Sequence, residues 1–133
     1  MLICLQISAQ QPFCKNNLRY QDFCLGEPSF ILDIPYREAP GLSGRLQKLS
    51  LDVFLPNETP GKYLRPLIIF VHGGGFIGGR KDGMHGLCKD FSKMGYVTAS
   101  IDYRLLDSLF IDDELYIKGV MLAAEDVLYS MKF

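Results

Sequence analysis

Alternation of hydrophobic and polar residues is clearest between Leu49 and Leu55. The apolar positions are Leu49, Leu51, Val53 and Leu55, and Ser50, Asp52 and Phe54 lie between them. A period of two predicts a β-strand that buries one face better than the other. Ile31 to Ile34, closed by Pro35, and Val97 to Ile101 predict two further strands.

Leu67 to Val71 is instead an uninterrupted apolar run that contains several β-branched residues. This pattern is typical of a central strand of a parallel sheet that helices cover on both faces. The run leads directly into His72 and a cluster of glycines. The sequence therefore predicts a buried strand that ends in a glycine-rich loop.

Two later segments carry apolar residues at helical spacing. The first contains Met84, Leu87, Cys88, Phe91 and Met94, and the second contains Ile117, Met121, Ala124, Leu128 and Met131. Asp82 and Gly95 are suitable as the N-cap and C-cap of the first helix. The second stripe predicts a helix of roughly 16 residues. The order strand, strand, strand, helix, strand, helix indicates the α/β class.

Composition and charge exclude several classes of protein. The chain has 133 residues, 48% of them hydrophobic and 22% charged, which is typical of one globular domain or part of one. Its 14 basic and 15 acidic residues give a net charge of -1, and the basic residues are scattered, so we expect no nucleic-acid partner. The longest apolar run is far shorter than the roughly 20 residues of a membrane span, so we predict no such span.

Residues 1–30 are predicted to form an N-terminal arm, and residues 31–133 a partial α/β domain. Met1 to Ala9 resembles the end of a secretory signal, with a frayed strand as the alternative, so both a secreted or periplasmic and a cytoplasmic location stay open. Cys14 and Cys24 could be bridged in an exported protein, or remain idle thiols. The four cysteines do not match the spacing of a metal site, and we predict no metal.

The most informative stretch is His72 to Phe76, His-Gly-Gly-Gly-Phe, which follows the predicted buried strand. Glycines lack a Cβ and can turn their backbone N–H groups into a cavity. In acyl transfer the substrate carbonyl oxygen gains negative charge in the tetrahedral intermediate, and preorganised N–H donors stabilise that oxyanion. This chemistry gives a reason for consecutive glycines at the end of a strand.

The His-Gly-Gly-Gly-Phe stretch resembles the oxyanion loop of the α/β-hydrolase carboxylesterases, of the feruloyl-esterase or hormone-sensitive-lipase-like kind. Three more segments resemble the same enzymes in the same order: Leu49 to Pro56, Gly95 to Leu105 with its Asp-Tyr-Arg signature, and Ala123 to Leu128. The resemblance covers about residues 31–133. It implies a carboxylic ester hydrolase that acts on small-molecule esters and needs no cofactor.

The same resemblance assigns roles to individual residues. Gly74 and Gly75 would be the oxyanion N–H donors. The residues expected to shape the site are His72, Gly73, Phe76, Asp102, Arg104 and Asp126. His72 is expected to shape the loop and not to act as the catalytic base. His85, at the start of the crossover helix, is interpreted as a surface or capping histidine.

The catalytic serine of these enzymes lies on a Gly-x-Ser-x-Gly turn, and no such pentapeptide occurs in the chain. The nearest match, at Gly41 to Arg45, fails at its fifth position. We therefore expect the N-terminal portion of an α/β-hydrolase sheet with crossover helices, ending before the nucleophile turn. Such a chain is expected to be inactive alone.

Two other interpretations remain at this point. Gly73, Gly75 and Gly78 also satisfy the Gly-x-Gly-x-x-Gly dinucleotide fingerprint, and the next strand ends in an acid, Asp102. That motif would indicate a Rossmann-type domain of an oxidoreductase. However, the predicted helix starts late, and at least two other strands precede the strand that leads into the glycines, whereas the fingerprint usually follows the first strand of its domain. The third interpretation is a non-catalytic fragment.

Overall fold

A computed structural model describes residues 20–23, 25–57, 64–107 and 112–132. The strands are β1 (Gly26–Pro40), β2 (Leu46–Asn57), β3 (Leu67–Val71) and β4 (Val97–Ile101), and the α-helices are α1 (His85–Lys93) and α2 (Asp113–Ser130). The four strands form one sheet in the order β1-β2-β4-β3. The predicted α/β class is confirmed.

The sheet is mixed. β2 pairs with β1 and with β4 in antiparallel fashion, whereas β3 and β4 are parallel and α1 connects them. Within the described residues β3 therefore lies at an edge, and Leu67 and Val71 are 56% and 43% exposed. This agrees with the expectation that β3 pairs with the strand at Val97 to Ile101 and leaves its other edge open in residues 1–133, and its central place in a larger sheet stays a prediction.

β1 is much longer than the predicted strand. It begins at Gly26, inside the predicted arm, and continues through Pro35 to Pro40. Proline lacks a backbone N–H, but an edge strand tolerates it because only one side of the strand bonds to a neighbour.

The signal-like residues Met1 to Ala9 and the proposed Cys14–Cys24 bridge lie outside the described residues.

Both faces of the sheet carry buried side chains. On one face, Tyr36, Leu49, Leu51 and Ile101 form an apolar core, against which Val127 of α2 packs. On the other face, Phe54 of β2 is 1% exposed and Cys88 and Ser92 of α1 are fully buried. The expectation that β2 has one better-buried face is therefore wrong, because α1 covers the face that carries Asp52 and Phe54.

The first predicted helix begins differently from the expectation. A short 3-10 helix, Lys81–Met84, precedes α1, and Asp82 lies inside it without capping either helix through its side chain. Gly95 has a φ of 107° and its N–H donates to the carbonyl oxygen of Ser92. The helix therefore stops at the glycine, as predicted.

The second helix turns a different face toward the sheet from the one its apolar pattern indicates. Asp112 caps it by accepting a hydrogen bond from the Leu115 N–H (2.8 Å). The buried residues are Gly119, Ala123, Asp126 and Ser130, whereas Ile117, Met121, Leu128 and Met131 are 59–66% exposed. The predicted stripe is exposed because ion pairs of Asp126 hold the opposite face against the sheet.

Neither described α-helix is long and apolar enough to cross a membrane.

Candidate active site

The loop after β3, residues 73–79, is called the glycine loop below. Gly74, Gly75 and Gly79 have φ values of 122°, 62° and 106°. A Cβ atom on Gly74 would lie 2.1 Å from the carbonyl oxygen of Gly78, and one on Gly79 would lie 2.3 Å from that of Gly73. Two of these positions therefore need glycine for conformation and for space.

The glycine loop folds into a tight turn and not into a helix. The N–H groups of Ile77 and Gly78 both donate to the carbonyl oxygen of Gly74, each at 3.2 Å. No acceptor among the described residues bonds to the N–H groups of Gly74 or Gly75. Among the described residues, two adjacent donors are thus left available for an acceptor.

His72 is buried and holds the start of the loop. Its ring stacks on Tyr103 with centroids 4.3 Å apart, and its Nδ1 lies 2.8 Å from the carbonyl oxygen of Gly73. The Tyr103 hydroxyl donates to the backbone oxygen of His72 at 2.9 Å. Burial raises the pKa of Tyr103, so its hydroxyl remains a donor at neutral pH.

The segment after β4 contacts both the glycine loop and the 3-10 helix that follows it. The Leu106 N–H donates to the carbonyl oxygen of Phe76 (2.7 Å), and the Lys81 N–H donates to Asp102 Oδ1 (2.9 Å). Phe76 has a φ of 64°, which is unfavourable for a residue with a side chain. The bond from Leu106 therefore helps to hold a strained residue.

Arg104 and Asp126 form a buried pair beside this segment. Asp126 Oδ2 accepts hydrogen bonds from Arg104 Nε (2.8 Å) and from the Arg104 N–H (2.9 Å). Burial alone lowers the pKa of Arg104, but the bonds to Asp126 and Glu125 outweigh it and raise that pKa. The pair joins the end of β4 to α2, and within the described residues it has no hydrogen bond to the glycine loop.

A second buried charge cluster was missed from the sequence. Lys81 Nζ lies 2.8 Å and 2.9 Å from the two oxygens of Asp52 and 2.7 Å from Asp33 Oδ1. Asp52 also accepts from the Asp33 N–H (2.7 Å) and bonds to His85 Nε2 (2.7 Å). The signal was an acid at position 52, on a strand face that also carries Phe54.

Hydrogen bonds keep Asp52 and Lys81 of this cluster charged. Burial alone raises the pKa of Asp52, but hydrogen bonds from Lys81, the Asp33 N–H and His85 outweigh it and lower that pKa. Burial alone lowers the pKa of Lys81, but its bonds to Asp33 and Asp52 raise the pKa above its ordinary value. His85, interpreted as a surface or capping residue, is 27% exposed and is bound to Asp52.

Asp52, Asp82 and His85 place ligand atoms within 4.8 Å of one another and form the candidate metal cluster among the described residues. Lys81 already contacts both oxygens of Asp52, so a cation there would have to displace an ammonium group. Ion pairs therefore satisfy this cluster as it stands.

A cavity of about 140 Å³ adjoins the glycine loop. It lies between β3, the loop and α2, and its lining residues are Val71, Phe76, Tyr103, Val120, Ala123, Ala124 and Val127. The lining is almost wholly apolar, which suits the hydrocarbon part of a small molecule.

The geometry disfavours the dinucleotide interpretation. In that motif the helix begins within the fingerprint, so that its N-terminus holds the pyrophosphate. Here a turn and a 3-10 helix follow the glycines, and α1 begins only at His85. Asp102 is bonded to the Lys81 N–H instead of being left available for a ribose.

Comparison with known families points to the hydrolases. Residues 51–112, which are 62 of the 133, match the BD-FAE family model. The matched segment runs from β2 through the glycine loop and α1 to the residues after β4. The resemblance to the α/β-hydrolase carboxylesterases is confirmed. No curated protein matches the chain.

Several solved structures are similar to this chain. Brefeldin A esterase, a bacterial homologue of human hormone sensitive lipase, is 20% identical with a TM-score of 0.48, over 76% of this chain and 27% of that one. EstE1, a thermophilic carboxylesterase from a metagenomic library, is 21% identical with a TM-score of 0.45, over 77% of this chain and 31% of that one. An esterase of Pyrobaculum calidifontis is 24% identical with a TM-score of 0.45, over 79% of this chain and 31% of that one. The chain spans about a third of the length of these proteins.

Proposed function

We propose that the chain supplies the oxyanion hole of a serine carboxylic ester hydrolase. The observation that carries this proposal is that the N–H groups of Gly74 and Gly75, both at positive φ in the loop after the parallel strand β3, bond to no acceptor among the described residues. The family-model match over residues 51–112 includes both glycines.

The proposed chemistry is acyl transfer from a small-molecule ester. A serine attacks the ester carbonyl, and the carbonyl oxygen becomes an oxyanion in the tetrahedral intermediate. The N–H groups of Gly74 and Gly75 donate to that oxygen, so they stabilise the transition state more than the bound ester. His72, Gly73 and Phe76 set the direction of these donors. Asp102, Arg104 and Asp126 brace the chain around them.

The nucleophile belongs to a part of the protein outside residues 1–133 in this proposal, because the sequence contains no Gly-x-Ser-x-Gly turn. Without a nucleophile and its activating base, two N–H donors cannot form an acyl-enzyme. Residues 1–133 alone are therefore proposed to hydrolyse no ester. A reading frame with Gly-x-Ser-x-Gly within about 30 residues after Phe133 would support this division of the site.

The test is a glycine series in the full-length protein. Gly74→Ala places a methyl group against the carbonyl oxygen of Gly78 at 2.1 Å, so the donor must move. Gly86→Ala is the matched control, since its Cβ would meet nothing within 4 Å and it lies in α1. We expect kcat for a short acyl ester to fall about 100- to 1,000-fold in Gly74→Ala and to stay unchanged in Gly86→Ala.

The substitution of both donors gives the decisive comparison. A Gly74→Val/Gly75→Val variant should retain its circular dichroism spectrum and lose turnover of p-nitrophenyl acetate. If that variant is folded and hydrolyses the ester at the wild-type rate, the oxyanion assignment is wrong.

A further inference from the structure

Lys81 lies at the exit of the glycine loop and is held there from two directions. Its side chain is buried, 3% exposed, and reaches the carboxylates of Asp52 on β2 and Asp33 on β1. Its backbone N–H donates to Asp102 at the end of β4. One residue therefore fixes the loop exit to three strands of the sheet.

The ammonium group of Lys81 is fully satisfied by these partners. An ammonium has three N–H donors, and three carboxylate oxygens lie at 2.7, 2.8 and 2.9 Å from Nζ. Asp52 in turn bonds to His85 and to the Asp33 N–H. Because a buried charge is costly unless it is paired, this network has one favourable position for the lysine.

The exit of the glycine loop is in direct contact with its entrance. The Cα of Gly79 is so close to Gly73 and His72 that an added Cβ would lie 2.3 Å from the Gly73 oxygen and from His72 Nδ1. This close approach gives a route by which a displacement of Lys81 would reach the residues that precede Gly74 and Gly75. At the entrance, His72 is held by its stack on Tyr103.

We propose that Lys81, fixed by Asp52, is a positioning residue of the glycine loop and acts together with His72, Gly73 and Phe76 to set the direction of the Gly74 and Gly75 N–H groups. This inference rests on the proposed function. Lys81 does not contact the reacting atoms. It acts through Gly79 and the turn that follows Gly75.

The first experiment measures the loop without using catalysis. Amide hydrogen exchange of Ile77 and Gly78, whose N–H groups bond to Gly74, reports the turn directly. We expect Lys81→Met to reduce the protection of these two amides about tenfold or more, and to reduce the protection of the Ala99 amide in the sheet by less. Lys89→Met, at an exposed lysine on α1, is the matched control and should change neither.

The second experiment separates kcat from KM in the full-length protein. Lys81→Met should lower kcat about tenfold or more and leave KM within about twofold, because the donors act on the transition state. Lys81→Arg keeps the charge and should recover part of kcat. A purely structural role would lower the amount of folded enzyme and leave both constants of that folded fraction unchanged.

Failure of this inference differs from failure of the proposed function. If Lys81→Met alters neither the exchange of Ile77 and Gly78 nor kcat, the positioning role is wrong and the esterase proposal stands. If the exchange changes but the wild-type protein hydrolyses no ester, positioning stands and the function is wrong. Should Lys81→Met not fold, Asp52→Asn/Lys81→Met removes both charges and must show the same two losses.

Discussion

Removal of Arg104 is the most informative test of what holds the fold together around the candidate site. Arg104→Met keeps a long unbranched side chain but removes the guanidinium that is 4% exposed and pairs with the fully buried Asp126. It also removes hydrogen bonds to the carbonyl oxygens of Pro40 and Leu122, each at 3.1 Å. β1 and α2 therefore both lose their hydrogen bonds to the segment after β4 that the Arg104 side chain provides.

The magnitude follows from the burial of Asp126. Breaking a buried ion pair by removing one partner costs about 3–5 kcal/mol, because the remaining charge is left in the interior. Arg37 still donates to Asp126 Oδ1 at 2.8 Å, so we expect the lower half of that range, about 3–4 kcal/mol. Arg45→Met, at an exposed arginine, should change the free energy of unfolding by less than about 0.5 kcal/mol.

Urea unfolding followed by circular dichroism measures these differences. With a slope of about 2 kcal/mol per molar urea, the Arg104→Met midpoint should fall by about 1.5–2 M. The double variant Arg104→Met/Asp126→Leu removes both charges and should be more stable than Arg104→Met alone. A loss below about 1 kcal/mol in Arg104→Met, or a double variant less stable than the single one, would refute this reasoning.

Two further predictions concern pH and the sheet edge. Because the pKa of Asp52 is lowered in the fold, its contribution to stability is complete above its ordinary pKa of 3.8 and disappears as pH falls through the lower folded value. The free energy of unfolding should therefore fall more steeply between pH 6 and pH 2 for the wild type than for Asp52→Asn. Equal slopes for the two proteins would contradict this. Residues 1–133 alone should aggregate through the exposed edge strand β3, and Leu67→Lys should reduce light scattering at equal concentration. If wild-type residues 1–133 stay monomeric, the prediction of aggregation through β3 is wrong. If they hydrolyse p-nitrophenyl acetate with saturable kinetics, the assignment of the active site is wrong.

Local pattern was enough to predict β2, β3, β4 and both helices, because each depends on residues close together in the sequence. The alternation at Leu49 to Leu55 and the apolar run at Leu67 to Val71 correspond to β2 and β3. The conformation of the glycine loop could likewise be expected from its residues, since Gly74 and Gly75 adopt positive φ values that other residues avoid.

Contacts between residues that are distant in the sequence explain the features that the local hydrophobic pattern could not predict. The apolar stripe on α2 indicated the wrong buried face, because the orientation of that helix depends on Asp126 meeting Arg104, 22 residues earlier. The Lys81–Asp52 cluster joins positions 29 residues apart, and the acid at position 52 gives no indication that Lys81 is its partner. β1 extends through Pro35 because β2 supplies its partner, which no local signal at the proline reports.

Both buried ion pairs have a common consequence for the glycine loop, and Phe76 shows why the loop needs them. A residue with a side chain at a φ of 64° costs of the order of 1–3 kcal/mol and persists only when its surroundings over-determine it. Leu106 bonds to Phe76 directly, and the position of Leu106 depends on Arg104 two residues before it. Lys81 fixes the other end of the same loop.

Unpaired N–H donors stabilise an oxyanion only if they already point at its position before the charge develops, since reorganisation during the reaction would cancel the gain. The cost of burying these charges is therefore consistent with the proposed function, because they hold a strained loop in a conformation in which the Gly74 and Gly75 N–H groups bond to no acceptor among the described residues.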